Sequence, residues 1–155
     1  MTFRQVSRLI TVITVLLLSV LLTACSEKKL TDLHLIPGTI PAVHAGDSGY
    51  FTVTVKIPGN AHIYANPKGP GTGKATMVFT ESPDGIGVGK PVFERGTRHV
   101  APGESEHVNI YEESTSITIP FSTESSLPVG QYSVEFTVDA LLCDEGACIP
   151  LRKTI

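Results

Sequence analysis

The residues best equipped for chemistry lie near the end of the chain, in LLCDEGACIPL, where Asp144-Glu145-Gly146-Ala147 separates Cys143 from Cys148 and Pro150 follows closely. Two thiols at this spacing can form a structural cross-link, contribute half of a metal site, or make a disulfide that opens and closes in exchange with other thiols. A closed zinc site takes four ligands, and this pair supplies two. The five histidines stand at 34, 44, 62, 99 and 107, with no two at the i, i+2 or i, i+4 spacing that sets imidazoles on one face. Most of them are expected to be surface or loop residues, and no metal is expected.

Other chemistries fit less well. Gly69-Pro70-Gly71-Thr72-Gly73-Lys74 has the composition of a phosphate loop but not its spacing, with Lys68 where the first glycine belongs and Ala75 where Ser or Thr should follow the lysine. It reads instead as a flexible loop after a strand His62-Ile63-Tyr64. No nucleophile elbow is present, and the acidic residues are spread through loops, so hydrolysis has no constellation to support it. No cofactor is expected.

What two cysteines do depends on the redox compartment. Arg4 and Arg8 precede an apolar run from Leu9 to Leu22, interrupted only by Thr11, Thr14 and Ser19, which is the charge and length pattern of a secretory signal and is shorter than the roughly 20 residues of a membrane span. The run ends in Leu22-Thr23-Ala24-Cys25, which resembles the lipobox of bacterial lipoproteins. Residues 1–24 are therefore expected to be a cleaved signal, and residues 25–30 a tether whose lipidated Cys25 holds the protein at a membrane. Several acyl chains, at about 0.8 kcal/mol per buried methylene, make such an anchor stable. Ser26 in place of Asp resembles the outer-membrane sorting pattern of Gram-negative lipoproteins, with the domain on the periplasmic side. With Cys25 acylated, Cys143 and Cys148 are left to pair with each other in an oxidising compartment.

Loss of Arg4 and Arg8 leaves 10 of the 12 Lys+Arg against 15 Asp+Glu. A mildly acidic chain without a basic stripe is not expected to bind nucleic acid. The mature length suits one domain, residues 31–155, acting as a monomer.

The elements that must position the cysteines have a period of two. Phe51, Val53, Val55 and Ile57 alternate with Tyr50, Thr52, Thr54 and Lys56; Tyr132, Val134, Phe136 and Val138 repeat the pattern, and residues 116–121 make a third run. Pro58-Gly59-Asn60, Ser82-Pro83-Asp84-Gly85, Pro102-Gly103 and Pro128-Val129-Gly130 punctuate the runs. No apolar face is kept at helical spacing for three turns after the signal. An all-β, antiparallel sandwich with long loops follows, with a cysteine-bearing hairpin near the C-terminus.

Residues 131–142 read as one strand of that hairpin and residues 149–154 as its neighbour, with residues 144–147 as the loop. Such a loop sets the cysteines opposite each other, where a non-hydrogen-bonded pair brings side chains close enough for a cross-strand disulfide. Pro150 fits there only on an edge strand or where the ladder ends. Closing so short a loop stabilises by about 2 kcal/mol, against about 3 for a loop of 15 residues. This weak return leans toward a redox role, although secreted domains also carry inert short-loop disulfides.

Cys143-Asp144-Glu145-Gly146-Ala147-Cys148-Ile149-Pro150 resembles the N-terminal periplasmic domain of the thiol:disulfide interchange protein DsbD. So do Asn60-Ala61-His62-Ile63-Tyr64-Ala65-Asn66-Pro67 and the stretch from Asn109-Ile110-Tyr111-Glu112-Glu113 into Ile117-Thr118-Ile119-Pro120. The resemblance spans residues 31–155. It implies an immunoglobulin-like sandwich acting as a component of protein-disulfide reductase chemistry, taking electrons from a thioredoxin-like domain and passing them to periplasmic thiol proteins. By position, Cys148 matches the cysteine that forms the mixed disulfide and Cys143 the one that resolves it. Asp144 and Glu145 beside the pair would raise the thiol pKa values by like-charge repulsion.

Two departures alter the expectation. The relatives continue into a membrane conduit and a thioredoxin-like domain, whereas this sequence stops at Ile155, so electrons are expected to come from another protein. The family also shields its disulfide with an aromatic cap loop, and the matching residues 98–107 contain no aromatic. His99 or His107 is placed near the sulfurs instead. The competing expectation is a non-enzymatic lipoprotein interaction module with an inert disulfide.

Overall fold

A run such as Phe51-Thr52-Val53-Thr54-Val55 has one apolar and one polar face, and it is stable only when the apolar face is covered by a second layer. In a computed structural model, which describes residues 32–40, 42–101 and 103–155, that second layer is another sheet. The signal (1–24), the tether (25–30) with Cys25, and Pro102 lie outside the described residues.

The strands in chain order are β1 (His34–Pro37), β2 (Ser48–Lys56), β3 (His62–Tyr64), β4 (Met77–Glu81), β5 (Ile86–Val88), β6 (Val92–Phe93), β7 (Thr97–His99), β8 (Val108–Glu112), β9 (Ser114–Thr123), β10 (Glu135–Cys143) and β11 (Cys148–Thr154). One sheet runs β1-β2-β9-β5, with β6 also on β9; the other runs β11-β10-β3-β8-β7, with β4 also on β10. Every pairing is antiparallel. Two antiparallel sheets packed face to face make the sandwich that the alternation predicts, of the immunoglobulin-like type that the family resemblance implies.

Phe51, Val53, Val55 and Ile57 are buried, whereas Tyr50 is 69 % exposed. They meet Ile117 and Ile119 from β9, and Ile63, Phe136, Val138, Ala140 and Leu142 from the other sheet. Each of these side chains larger than alanine contributes about 1.5–3 kcal/mol on burial. The inward residues of β10 are therefore 136, 138, 140 and 142, which turns Cys143 to the outer face.

Two expectations are revised. The strand read from Gln131 begins at Glu135, because the ladder with β4 starts at the Glu135–Glu81 pair and, among the described residues, no strand pairs with 131–134. Tyr132 Oη instead donates to Pro128 O at 2.7 Å and closes a turn. The loop after β3 is tied down rather than free: Thr76 Oγ1 donates to Tyr64 O at 2.6 Å, and Lys74 pairs with Asp139 of β10 at 2.7 Å.

Candidate functional site: the Cys143–Cys148 hairpin

β10 and β11 pair from Thr137–Thr154 to Cys143–Cys148. Phe136 and Ile155 exchange both backbone hydrogen bonds at 2.9 and 3.0 Å, and Asp144 N–H donates to Ala147 O at 3.0 Å. Bonded pairs alternate along an antiparallel ladder, so Cys143–Cys148 is a non-hydrogen-bonded pair, the kind with the closer side chains. The sulfurs are joined in a disulfide, with the Cα atoms 4.0 Å apart. Leu141–Pro150 is the next non-bonded pair, so the missing N–H of Pro150 points away from β10 on an edge strand and leaves no ladder bond unmade. The loop is held by Asp144, whose Oδ1 accepts from Gly146 N–H and Ala147 N–H, each at 2.9 Å.

The two cysteines differ in access. Cys143 is 1 % exposed, whereas Cys148 on the edge strand is exposed. A thiolate arriving from outside therefore meets Cys148 Sγ.

Cys143 is also the Cα partner of His62 on β3, and His62 is the partner of Glu112 on β8. Register partners share a face, so Cys148, Cys143, His62 and Glu112 form one row across four strands. The His62 ring lies 5.7 Å from that of Tyr64, nearly perpendicular to it, and 5.8 Å from that of His99. Burial, then the nearby His99, lower the His62 pKa from its ordinary value, while Glu112 acts in the opposite sense. Tyr64 is held in turn by the loop above it: Gly73 has φ +118°, and a Cβ there would stand 2.4 Å from the tyrosine ring.

A match to the family model described as "Thiol:disulfide interchange protein DsbD, N-terminal" covers residues 37–155. The chain belongs to the DsbD N-terminal domain family. Among solved structures, the reduced DsbD N-terminal domain of Neisseria meningitidis is 16 % identical, with a TM-score of 0.44 over 73 % of this chain and 76 % of that one. The DsbD N-terminal domain of the same organism, solved in complex with the PilB N-terminal domain, is 15 % identical with a TM-score of 0.49 over 78 % and 80 %. The yeast GGA1 GAE domain is 12 % identical with a TM-score of 0.42 over 79 % and 88 %. No curated protein sequence matches.

Within this member of the DsbD N-terminal family, the sequence-derived residues are partly brought together. The two cysteines pair, and Asp144 caps their turn. Glu145 sits at the exposed tip of the loop. His99 stands beside His62, with the ring centroids 5.8 Å apart. His107 lies toward the glycine loop after β3, where its carbonyl accepts from Gly71 N–H at 3.0 Å. Sequence reasoning missed His62. Its strand was legible, but the pairing of β3 with the end of β10 was not.

Proposed function

We propose that the protein is a lipid-anchored, extracytoplasmic thiol:disulfide exchange protein that carries electrons from a thioredoxin-like donor to other thiol proteins through Cys143 and Cys148. The reading is carried by a disulfide with one exposed and one buried sulfur. A donor thiolate attacks Cys148 Sγ, the intramolecular S–S bond breaks, and Cys143 leaves with the electron pair. The donor's second thiol then attacks its own sulfur in the mixed disulfide and releases Cys148. The donor is now oxidised by two electrons and this domain is reduced. In the second half, the Cys148 thiolate attacks an acceptor disulfide and Cys143 resolves the intermediate, restoring the pair.

Family membership supports this reading, as does the complex solved for a relative with the PilB N-terminal domain. A signal ending in Leu22-Thr23-Ala24-Cys25 supports acylation at Cys25, and Ser26 supports placement on the periplasmic face of a Gram-negative outer membrane.

The test is trapping. A Cys143→Ser variant, retaining Cys148, is expected to hold a thioredoxin-like protein as a mixed disulfide on a non-reducing gel, whereas Cys148→Ser is not. A reduction potential below about −300 mV, typical of structural disulfides, would sink the reading in favour of an inert cross-link.

A further inference from the structure

We infer that His62 is the proton partner of Cys143, taking the proton from the resolving thiol as it attacks and returning one as it leaves. The inference rests on the exchange reading and extends it to a residue outside the cysteine hairpin.

The physical need comes from burial. Cys148 is exposed, so water or the partner protein can handle its proton. Cys143 is 1 % exposed, and a thiolate at such a position is disfavoured by lost solvation. Yet both half-reactions pass through Cys143 as a nucleophile or a leaving group. A base on the same face removes that difficulty without exposing the sulfur.

The register supplies one. Cys143, His62 and Glu112 are successive Cα partners on β10, β3 and β8, and directly opposed residues hold their Cβ atoms about 4.5–5.5 Å apart. A sulfur nucleophile, an imidazole and a carboxylate in one line follow the order in which a base is set beside a nucleophile and oriented by a third group. The core residue Ile63 fixes the strand's facing: it is fully buried on the other side, so its neighbour His62 turns outward with Cys143.

The charged and titratable groups around His62 are His99 on β7, Glu112 on β8, Tyr64 on its own strand, and Asp144 with the two cysteines on the hairpin. Asp144 is engaged with the turn amides. Burial and His99 disfavour the imidazolium, and Glu112 favours it. The ring is then neutral near pH 7 and able to accept a proton.

In the resolving step, the Cys143 S–H bond breaks and its proton passes to the imidazole. Cys143 Sγ bonds to Cys148 Sγ, and the partner's sulfur departs with the electron pair and takes a proton from solvent. The imidazolium then returns its proton to solvent. In the opening step the imidazole takes a proton from solvent and passes it to the departing Cys143 thiolate.

The experiment follows the reduced protein reacting with the aromatic disulfide dithiobisnitrobenzoate in stopped flow. The first thiol released reports attack by Cys148 and scales with reagent concentration. The second reports resolution by Cys143 and does not. His62→Gln is expected to slow the second phase at pH 7 by about tenfold or more, and to move its pH profile upward to that of the unassisted thiol. The first phase should change by less than about twofold, since Cys148 is exposed. His62→Ala should be slowed likewise and partly restored by added imidazole, which a merely structural defect would not be. An unchanged second phase, equal slowing of both phases, or no rescue by imidazole overturns the inference. If the reduced wild-type protein never releases the second equivalent, the exchange reading itself fails, and that result is distinct from all three.

Discussion

Val134 lies just before β10 and lines a largely apolar cleft of about 850 Å³, together with Phe51, Phe121, Leu127 and Tyr132. Cys143 closes the same strand nine residues later, roughly 30 Å away at strand rise, buried beside the exposed Cys148 of the edge strand. The cleft has the shape usually associated with a small-molecule site, yet it is lined by no thiol and no carboxylate, and its one imidazole, the exposed His44, pairs with Asp47 outside the lining at 3.4 Å. The disulfide has the chemistry, with one sulfur exposed on an edge strand. That separation teaches something about the substrate. A reaction whose second reactant is a sulfur on another protein needs an approachable sulfur on a flat, edge-strand surface, and a pocket would only hinder docking.

The sharpest way to break this comparison is to disable each end in turn. Cys148→Ser should abolish electron transfer from a reduced thioredoxin-like domain, measured by the donor's oxidation. Val129→Asp at the cleft, where Val129 is fully exposed, should leave the rate within about twofold, since a surface change away from the site perturbs little. A cleft substitution that stopped transfer would move the docking surface to the opposite end of the sandwich.

Next in size is the contrast in stability along β10. Phe136 is 2 % exposed and packs in the core between the sheets. Phe136→Ala should lower the unfolding free energy of the oxidised protein by about 3–5 kcal/mol through lost burial and the cavity left behind. Val129→Ala should stay within about 0.5 kcal/mol. Urea unfolding of both variants decides it: comparable losses would mean that the cleft rim is a packed part of the core.

The same contrast explains what could be read in advance. β2, β9 and the hairpin are long and alternating, so period two locates them and the turn residues bound them. Residues 131–134 carry the same alternation but pair with no strand among the described residues, and their backbone is irregular; periodicity records a face, not a partner. β5, β6 and β7 are three, two and three residues long, too short for any period to emerge. The cysteine pair was legible because count, compartment and loop length all bear on it locally. His62 was not, because what gives it meaning is a ladder to a strand end far along the chain. Lone histidines are ordinarily surface residues, and only the register of β3 separates this one from His34 or His44.

The smallest effect tests whether the disulfide end is also the pH-sensitive end. The pKa of His62 is lowered in the fold, chiefly by burial and next by His99. Below its ordinary value of about 6.5 the unfolded chain therefore binds a proton more readily than the folded one, and stability falls as pH drops through the folded value. The contribution is fully present above about pH 6.5. Asp32, paired with Lys153, follows the same sign in a lower window, because the lysine holds its carboxyl below the ordinary value. What it adds is present above the unfolded carboxyl's range, about 3.9, and is lost as pH falls through the folded value. Unfolding midpoints of the oxidised protein at pH 7 and pH 5.5 separate the two, since Asp32 stays ionised at both. The drop between these pH values should be smaller in His62→Gln than in the wild type. An equal drop would place the titrating group elsewhere, and would leave His62 with no electrostatic hold on the face it shares with Cys143.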